Sequence, residues 1–471
     1  MPDHFAAASP VVTTLEPLIA WLESGCKPPA QWRVGTEHEK FGFQQQTLAP
    51  LPYEGEAGIR AVLEGVASRF DWTLVTEQDR PVALIKRAGP DGQLRASITL
   101  EPGGQLELSG APLLSIHETQ EEINDHLQQL GEVCAAMEVA FLGVGTQPKW
   151  PFAAIPWMPK GRYQQMRRYL PGKGALSLDM MTRTATVQAN LDFSSEADMV
   201  RKFRLSMALQ PLATALFANS PFMDGRPNGF LSYRAEIWRH TDPDRCGWLP
   251  FVFEGSFGFA RYAEYALDVP LLFLYRDGCY QAAGGAPFRA FLAGKLPALP
   301  GHRPTLADWE LHLSTLFPDV RLKRYLELRG ADAGNSATLC ALPAFWKGLL
   351  YDEQALEAAW ALVADWGPAE RAQIHQLVPR LALQTPVPRL GTLRDLARQV
   401  LPLAKAGLAR QGLRSEQGCD ETIYLRELFH TVESGITPAE RMLDAYRHRW
   451  QGSVDPLFRE QEFESFYADC E

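Results

Sequence analysis

The spacing of apolar and polar residues divides the chain into two textures. Up to about residue 343, short segments with two-residue alternation are mixed with helical stretches. Val34 to Phe43 reads as a strand carrying polar groups. Val82 to Lys86 and Ser97 to Ser109 read similarly, the second broken by Pro102, Gly103 and Gly104. Ser115 to Val139 reads as a helix opened by a Ser-x-x-Glu capping box, with Ile123, Leu127, Leu130, Cys134 and Met137 on one apolar face. That face makes Cys134 a core residue. Phe141 to Gly145 looks like a short buried strand, and Pro148 to Gly174 is rich in loop residues. Thr184 to Phe193 alternates cleanly, with Val187, Ala189 and Leu191 on one side and Thr186, Gln188, Asn190 and Asp192 on the other. Ser194 or Ser195 then caps a helix through Phe217, with Pro211 as a kink. Phe251 to Phe257 and Leu271 to Tyr275 are further strand candidates.

From about Ala344 the pattern is helical alone. Asp352 to Trp366, Pro368 to Leu381, Gly391 to Arg410 and Thr437 to Trp450 all carry helix signals. The order of elements predicts an α+β protein with an antiparallel sheet and a helical C-terminal part. The expected division is a catalytic unit over 1–343 and helices over 344–471 packed on it.

Charge and cysteine content narrow the classes. Lys plus Arg is 46 and Asp plus Glu is 56, for a formal net charge of −10. That balance argues against a nucleic-acid scaffold while permitting local basic pockets. The seven cysteines show no C-x-x-C pair, and a reducing compartment is the simplest reading. Met1 to Leu15 has no secretory pattern, and no apolar run approaches the length needed to span a bilayer. A cytoplasmic protein, free of membrane and nucleic acid, is the expectation.

The familiar nucleotide devices are missing from the sequence. There is no phosphate loop, no dinucleotide fingerprint, no H-E-x-x-H, no G-x-S-x-G and no kinase set. What stands out is acidic. Glu37 and Glu39 share one face of the first strand, with His38 on the other. Two adjacent carboxylates repel by ~1 kcal/mol even in water. Either this is a solvated strand face balanced by Lys40, or a divalent cation removes the repulsion. Glu101 and Glu107 flank the Pro-Gly-Gly turn and sit among leucines. They form either an ordinary exposed hairpin or a second pair brought to the same place. Four such glutamates would suit two or three divalent ions clamping a triphosphate. Lys160, Arg162, Arg183 and Arg234 are candidate anion binders, and the Gln188 and Asn190 face offers neutral polar groups.

These motifs resemble those of glutamate–cysteine ligases of the plant and proteobacterial branch. The resemblance runs over nearly the whole chain. It is carried by VGTEHEKFGF at 34–43, LEPGGQLELSGAP at 100–112, MPKGRYQQMRRYLP at 158–171, TATVQANLDFSSEADMVRKFR at 184–204, NSPFMDGRPNGFLSYRAEIW at 219–238 and RLKRYLELRGAD at 321–332. It implies a glutamine-synthetase-like antiparallel sheet curved into a funnel with helices outside. It implies that ATP phosphorylates the side-chain carboxylate of glutamate and that cysteine's amine then attacks. By the same resemblance Glu37, Glu39, Glu101 and Glu107 hold Mg2+, and Arg234 steadies the transferring phosphoryl group. Lys160, Arg162 and Arg183 bind anions, and Gln188 and Asn190 line the site. The expected assembly is a monomer or homodimer. The alternative activity is a ligase joining glutamate to a different amine. A phosphotransferase or a non-catalytic binding protein lies further off. Plant members use cysteine pairs as redox switches; the matching positions here are Gln120, Ala282 and Ala298, which implies no switch of that kind.

Overall fold

The computed structural model describes residues 9–88 and 93–464. Its centre is an antiparallel sheet of nine strands. These are β1 (Val34–Gln44), β2 (Thr73–Glu77), β3 (Arg80–Ala88), β4 (Gln93–Leu100), β5 (Leu106–Ser109), β6 (Val139–Leu142), β7 (Thr186–Leu191), β8 (Val320–Leu322) and β9 (Leu326–Asp332). The order is β8-β9-β7-β1-β5-β4-β3-β2, with β6 paired to the far end of β1. Strands from both edges, β2 and β8, line one cavity, so the open sheet wraps around it. The α+β expectation with a curved antiparallel sheet holds.

Alternation decides which face each residue takes. Val187, Ala189 and Leu191 of β7 are fully buried on the outer face. Helices cover that face. They are α1 (Ile59–Arg69), α2 (Ile116–Cys134), α3 (Gly161–Tyr169), α4 (Glu196–Leu216), α5 (Tyr233–Arg239), α6 (Ser336–Leu350), α7 (Glu353–Val363), α8 (Pro368–Leu381), α9 (Leu393–Gln411) and α10 (Pro438–His448). Of these, α3 borders the cavity and α5 a second chamber beside it. Helix α4 is buried on nearly every side, which is the signature of a central core helix. It is capped by Ser195, whose side chain accepts from the Asp198 N–H, and Pro211 lies within it. Leu84, Ile98, Leu100, Leu106 and Leu108 pack against Ile59, Val62 and Leu63 of α1 behind the acidic half of the sheet. Each such side chain contributes roughly 1.5–3 kcal/mol by leaving water.

Several expectations need correction. Helix α2 has its capping box between Ser115 and Glu118, but ends at Cys134 rather than Val139. A short 3-10 turn follows, and Glu138 is left-handed with φ 53°. This reverses the chain into β6, which begins at Val139. Phe251 to Phe257 is not a strand. Pro250 starts a 3-10 turn that drops Phe251 and Val252 into the core. Within the loop-rich stretch 148–174 lies α3. The division at 343/344 falls inside α6, and one hydrophobic core joins residues on both sides of it. Cys26, Cys134, Cys246, Cys279 and Cys340 are free thiols, whereas Cys419 is disulfide-bonded. The sequence reading of the extreme N-terminus rests partly on residues 1–8, outside the described ones. Among the described residues no helix is long and apolar enough to cross a membrane.

Candidate active site

The inner face of the sheet encloses a cavity of about 510 Å3. Strand register explains its chemistry. Glu37 of β1 lies opposite Ser109 of β5 and Gln188 of β7. Two residues along, Glu39 lies opposite Glu107, which in turn faces Thr99 of β4. Cross-strand partners stand about 5 Å apart, so these side chains form rows on one surface. Glu101 joins them from the turn between β4 and β5. Gly104 takes φ +87°, and a side chain at Gly103 would strike the Thr182 main chain, so this turn requires glycine at both places. Gln105 pins it by donating to the Thr184 carbonyl at 2.8 Å and accepting from the Gly103 N–H at 2.9 Å. All four predicted glutamates line the cavity.

Neutral groups hold the carboxylates in place. Asn190 Nδ2 donates to Glu37 at 2.8 Å, and the Thr186 N–H donates to Glu39 at 3.0 Å. Ser109 and Thr99 donate to Glu107 at 2.6 and 3.3 Å. Tyr163 Oη donates to Glu101 at 3.2 Å. None of the four carries an ion pair among the described residues. Burial, with Glu327 and Glu107 nearby, pushes Glu37 up to about 7. Burial with Glu101 and Glu107 raises Glu39 well above the usual carboxylate range, against the pull of Arg234 and Arg329. Glu107 is raised by burial and by the neighbouring Glu101 carboxyl, with which it shares a hydrogen bond. The site therefore gathers carboxyls that hold their protons for want of a cationic partner, and a hard cation would favour their charged form. Among the described residues no three His, Cys, Asp or Glu groups form a ready-made cage. An ion here would take one or two carboxylates and fill its shell with water and phosphate oxygens, as magnesium does.

Lys40 does not balance these acids across the cavity. It is fully buried on the opposite face, its Nζ 3.0 Å from His126 Nε2, and burial pushes it down to about 7. The cations come from elsewhere. Lys160, the residue before α3, and Arg162 within it line the cavity. Lys160 donates to the Leu100 carbonyl at 3.0 Å, and Arg162 stacks on Phe273 with its Nε unpartnered. Arg183 is not brought in. Its guanidinium is committed to Asp179 at 3.2 Å and Asp224 at 3.0 Å, outside the cavity. Asn190 reaches the site through Glu37, while Gln188 lines it and accepts from Arg329 at 2.6 Å.

The β8–β9 hairpin supplies a basic wall that the sequence reading missed. Glu327 is fully buried between Arg321 (2.5 and 2.6 Å), Arg329 (2.8 Å) and Lys323 (3.5 Å). Burial alone would raise it, but the three cations outweigh burial and hold it below the usual carboxylate range. Three positive charges share one counter-charge there, leaving the wall basic. The signal was the alternation of charge and leucine over Arg321 to Arg329, which looks like an ordinary paired strand.

Arg234 is buried on α5 and lines a second chamber of about 320 Å3 beside the first, with Arg329 bordering both. Its Nη2 donates to the Arg329 carbonyl at 3.0 Å, and its charge lowers Glu39. Asp319, raised to about 6 by burial, lines the same chamber. The Arg234 Nε and Trp238 Nε1 donors there have no partner.

The cavity thus faces buried acids with basic side chains. Residues 33–460 match the model of glutamate–cysteine ligase family 2. The chain belongs to this family. It is 55% identical over 447 residues to glutamate–cysteine ligase B, chloroplastic, of Oryza sativa subsp. japonica, covering 95% of this chain and 87% of that one. It is 54% identical over 459 residues to the chloroplastic glutamate–cysteine ligase of Arabidopsis thaliana, covering 98% and 85%. The fold resembles the solved glutamate–cysteine ligase of Francisella tularensis in complex with AMP, with TM-score 0.50 and 13% identity over 91% of this chain and 88% of that one. As a glutamate–cysteine ligase family member the chain is an enzyme. The relatives are named chloroplastic, which overturns the expected cytoplasmic location.

Proposed function

We propose that this ligase joins the γ-carboxylate of L-glutamate to the amino group of L-cysteine, using ATP, through a γ-glutamyl phosphate. The product, γ-glutamylcysteine, is the first intermediate of glutathione synthesis. The observation that carries this reading is the convergence of Glu37, Glu39, Glu101 and Glu107 on one cavity with Lys160, Arg162, Arg321 and Arg329 around it. The AMP bound to the Francisella ligase is in keeping with a nucleotide co-substrate.

A carboxylate resists amines because its leaving oxygen is too basic; phosphorylation supplies a better leaving group. Glutamate and ATP are both anions, and their approach needs positive charge. The four glutamates fit Mg2+, two or three ions in all, which when bound neutralises phosphate charge and polarises the transferring group. Lys160 and Arg162 face the phosphates from one side, and the Arg321–Arg329 wall from the other. Arg234, held by burial and by its bond to the Arg329 carbonyl, steadies the group in transfer from the second chamber. The second chamber presents Arg234 and Arg329 beside Asp319, the complement of an α-amino acid head with one carboxylate and one ammonium. Leu100, Leu106 and Leu108 close the floor of the sheet behind the acids, keeping bulk water from that side.

The test is to supply glutamate and Mg-ATP with cysteine, 2-aminobutyrate or alanine, following ADP release and the amide product by mass spectrometry. Cysteine should give the fastest ADP release and a γ-glutamyl amide. ADP without any amide indicates a phosphotransferase. Equal indifference to the three amines indicates a ligase for another amine.

A further inference from the structure

On the outside of the molecule a separate cavity of about 410 Å3 lies between helices α4, α7 and α8 and the segment 248–254. Its walls are aromatic: Trp248, Phe253, Trp360 and Trp366. Two arginines, Arg204 and Arg371, line it as well. Neither has a carboxylate partner among the described residues. Arg204 donates to the Val252 carbonyl at 2.7 Å and to the Glu254 carbonyl. Arg371, 4% exposed, donates to the carbonyls of Val363 at 2.7 Å and Trp366 at 3.0 Å, and its guanidinium lies 4.0 Å over the Phe253 ring. The acids nearby are engaged elsewhere. Glu254 faces Arg261 at 3.6 Å, and Asp365 and Glu370 face Arg389 at 2.9 and 3.8 Å. Burial lowers both guanidinium values, Arg371 to about 10.

The unpartnered atoms all have one character. Arg371 Nη1, Trp366 Nε1 and Trp248 Nε1 are buried N–H donors without an acceptor, and no wall residue of this cavity has an orphaned acceptor. A buried donor left unmade costs about 1–3 kcal/mol, more when charged. Mostly apolar walls with a few convergent polar groups are the usual form of a small-molecule site.

We propose that this cavity binds a flat organic anion: an aromatic body between the tryptophans, with a carboxylate or similar acidic group taken by Arg371 and Arg204. Aromatic faces favour stacking of a planar ring, and a guanidinium fork matches a planar oxyanion. The site shares no lining residue with the acidic cavity, and Trp248 alone with the second chamber.

The experiment is calorimetric titration of the full chain with 2-naphthoate, in parallel with neutral 2-naphthamide and with acetate. The expected result is saturable naphthoate binding, at least about tenfold tighter than either control. Mg-ATP should leave it unchanged, and it should weaken about tenfold in Arg204→Gln and in Arg371→Gln. If Arg371→Gln fails to fold, Arg204→Gln and the naphthamide comparison carry the test. Equal binding of acid and amide, unchanged affinity in Arg204→Gln, displacement by Mg-ATP or the absence of saturable binding would each overturn the proposal.

Discussion

Glu37→Gln separates what the acidic cluster does for the reaction from what it costs the fold. Glu37 has an ordinary value of 4.5, and burial, Glu327 and Glu107 push it up to about 7. A carboxyl raised in the folded state binds its proton more tightly there than in the unfolded chain. The folded state therefore loses stability as pH rises from about 4.5 to about 7, and carries the whole loss above that. The gap corresponds to about 3 kcal/mol. Glu37 keeps some contact with cavity water, so about 2 kcal/mol is the working figure. Glutamine keeps the shape and still accepts from Asn190, but carries no charge. In EDTA at pH 8 the variant should melt higher than wild type by a few degrees; at pH 5 the two should nearly coincide. Adding Mg2+ should stabilise wild type more than the variant, and the variant's turnover should fall by orders of magnitude. Thermal melts at the two pH values, with and without metal, are sufficient. An equal difference at both pH values, or a lower metal-free melting point for Glu37→Gln at pH 8, would refute the electrostatic reasoning.

Arg234→Lys keeps the charge but loses the planar fork, and phosphoryl transfer in a single turnover should slow about 100-fold; wild-type kinetics would remove Arg234 from the reaction. Glu327→Gln leaves Arg321, Lys323 and Arg329 facing one another without their shared counter-charge. A loss of about 3 kcal/mol or more is expected in urea unfolding, and an unchanged midpoint would show that solvent already screens those cations. Mg2+ affinity should weaken as pH falls below about 7, by about tenfold per unit for each proton displaced. Calorimetry in two buffers of different ionisation heat reads those protons directly, and pH-independent binding without proton release would exclude the carboxylates as ligands.

Much of the acidic half was legible because period-two alternation leaves little choice. In Thr36-Glu37-His38-Glu39-Lys40, burying His38 and Lys40 on one face forces both glutamates to the other. The Pro-Gly-Gly turn was equally readable, since positive φ at Gly104 is what glycine supplies. The basic half was less so. Arginine gives no local sign of where its charge is spent. Arg183 looks like an anion binder in sequence and Arg321 like part of an ordinary strand, yet the first is tied to Asp179 and Asp224 and the second builds the cavity wall. Only the partner in space decides: Asp179 stands one turn earlier on the helix that carries Arg183, and Asp224 comes from a distant turn. Helix α2 was read too long because Met137 continues the apolar period beyond the residues that actually wind; the left-handed Glu138 has no periodic signature.

The placement of β1 at the middle of the sheet has a chemical consequence. Its two flanking strands carry different charge: β5 brings Glu107, while β7 brings neutral Gln188 and Asn190, beyond which β9 brings Glu327 and Arg329. Crossing the sheet therefore runs from acid, through amide, to a net basic wall. The amides are the necessary buffer. Asn190 lies opposite both Gly35 and Glu327 and donates to Glu37, and Gln188 lies opposite Glu37 while accepting from Arg329. Direct contact between Arg329 and Glu37 would form a buried ion pair and neutralise both groups. The amide row keeps the negative side free to take a cation and the positive side free to take an anion, and the proposed reaction calls for both at once.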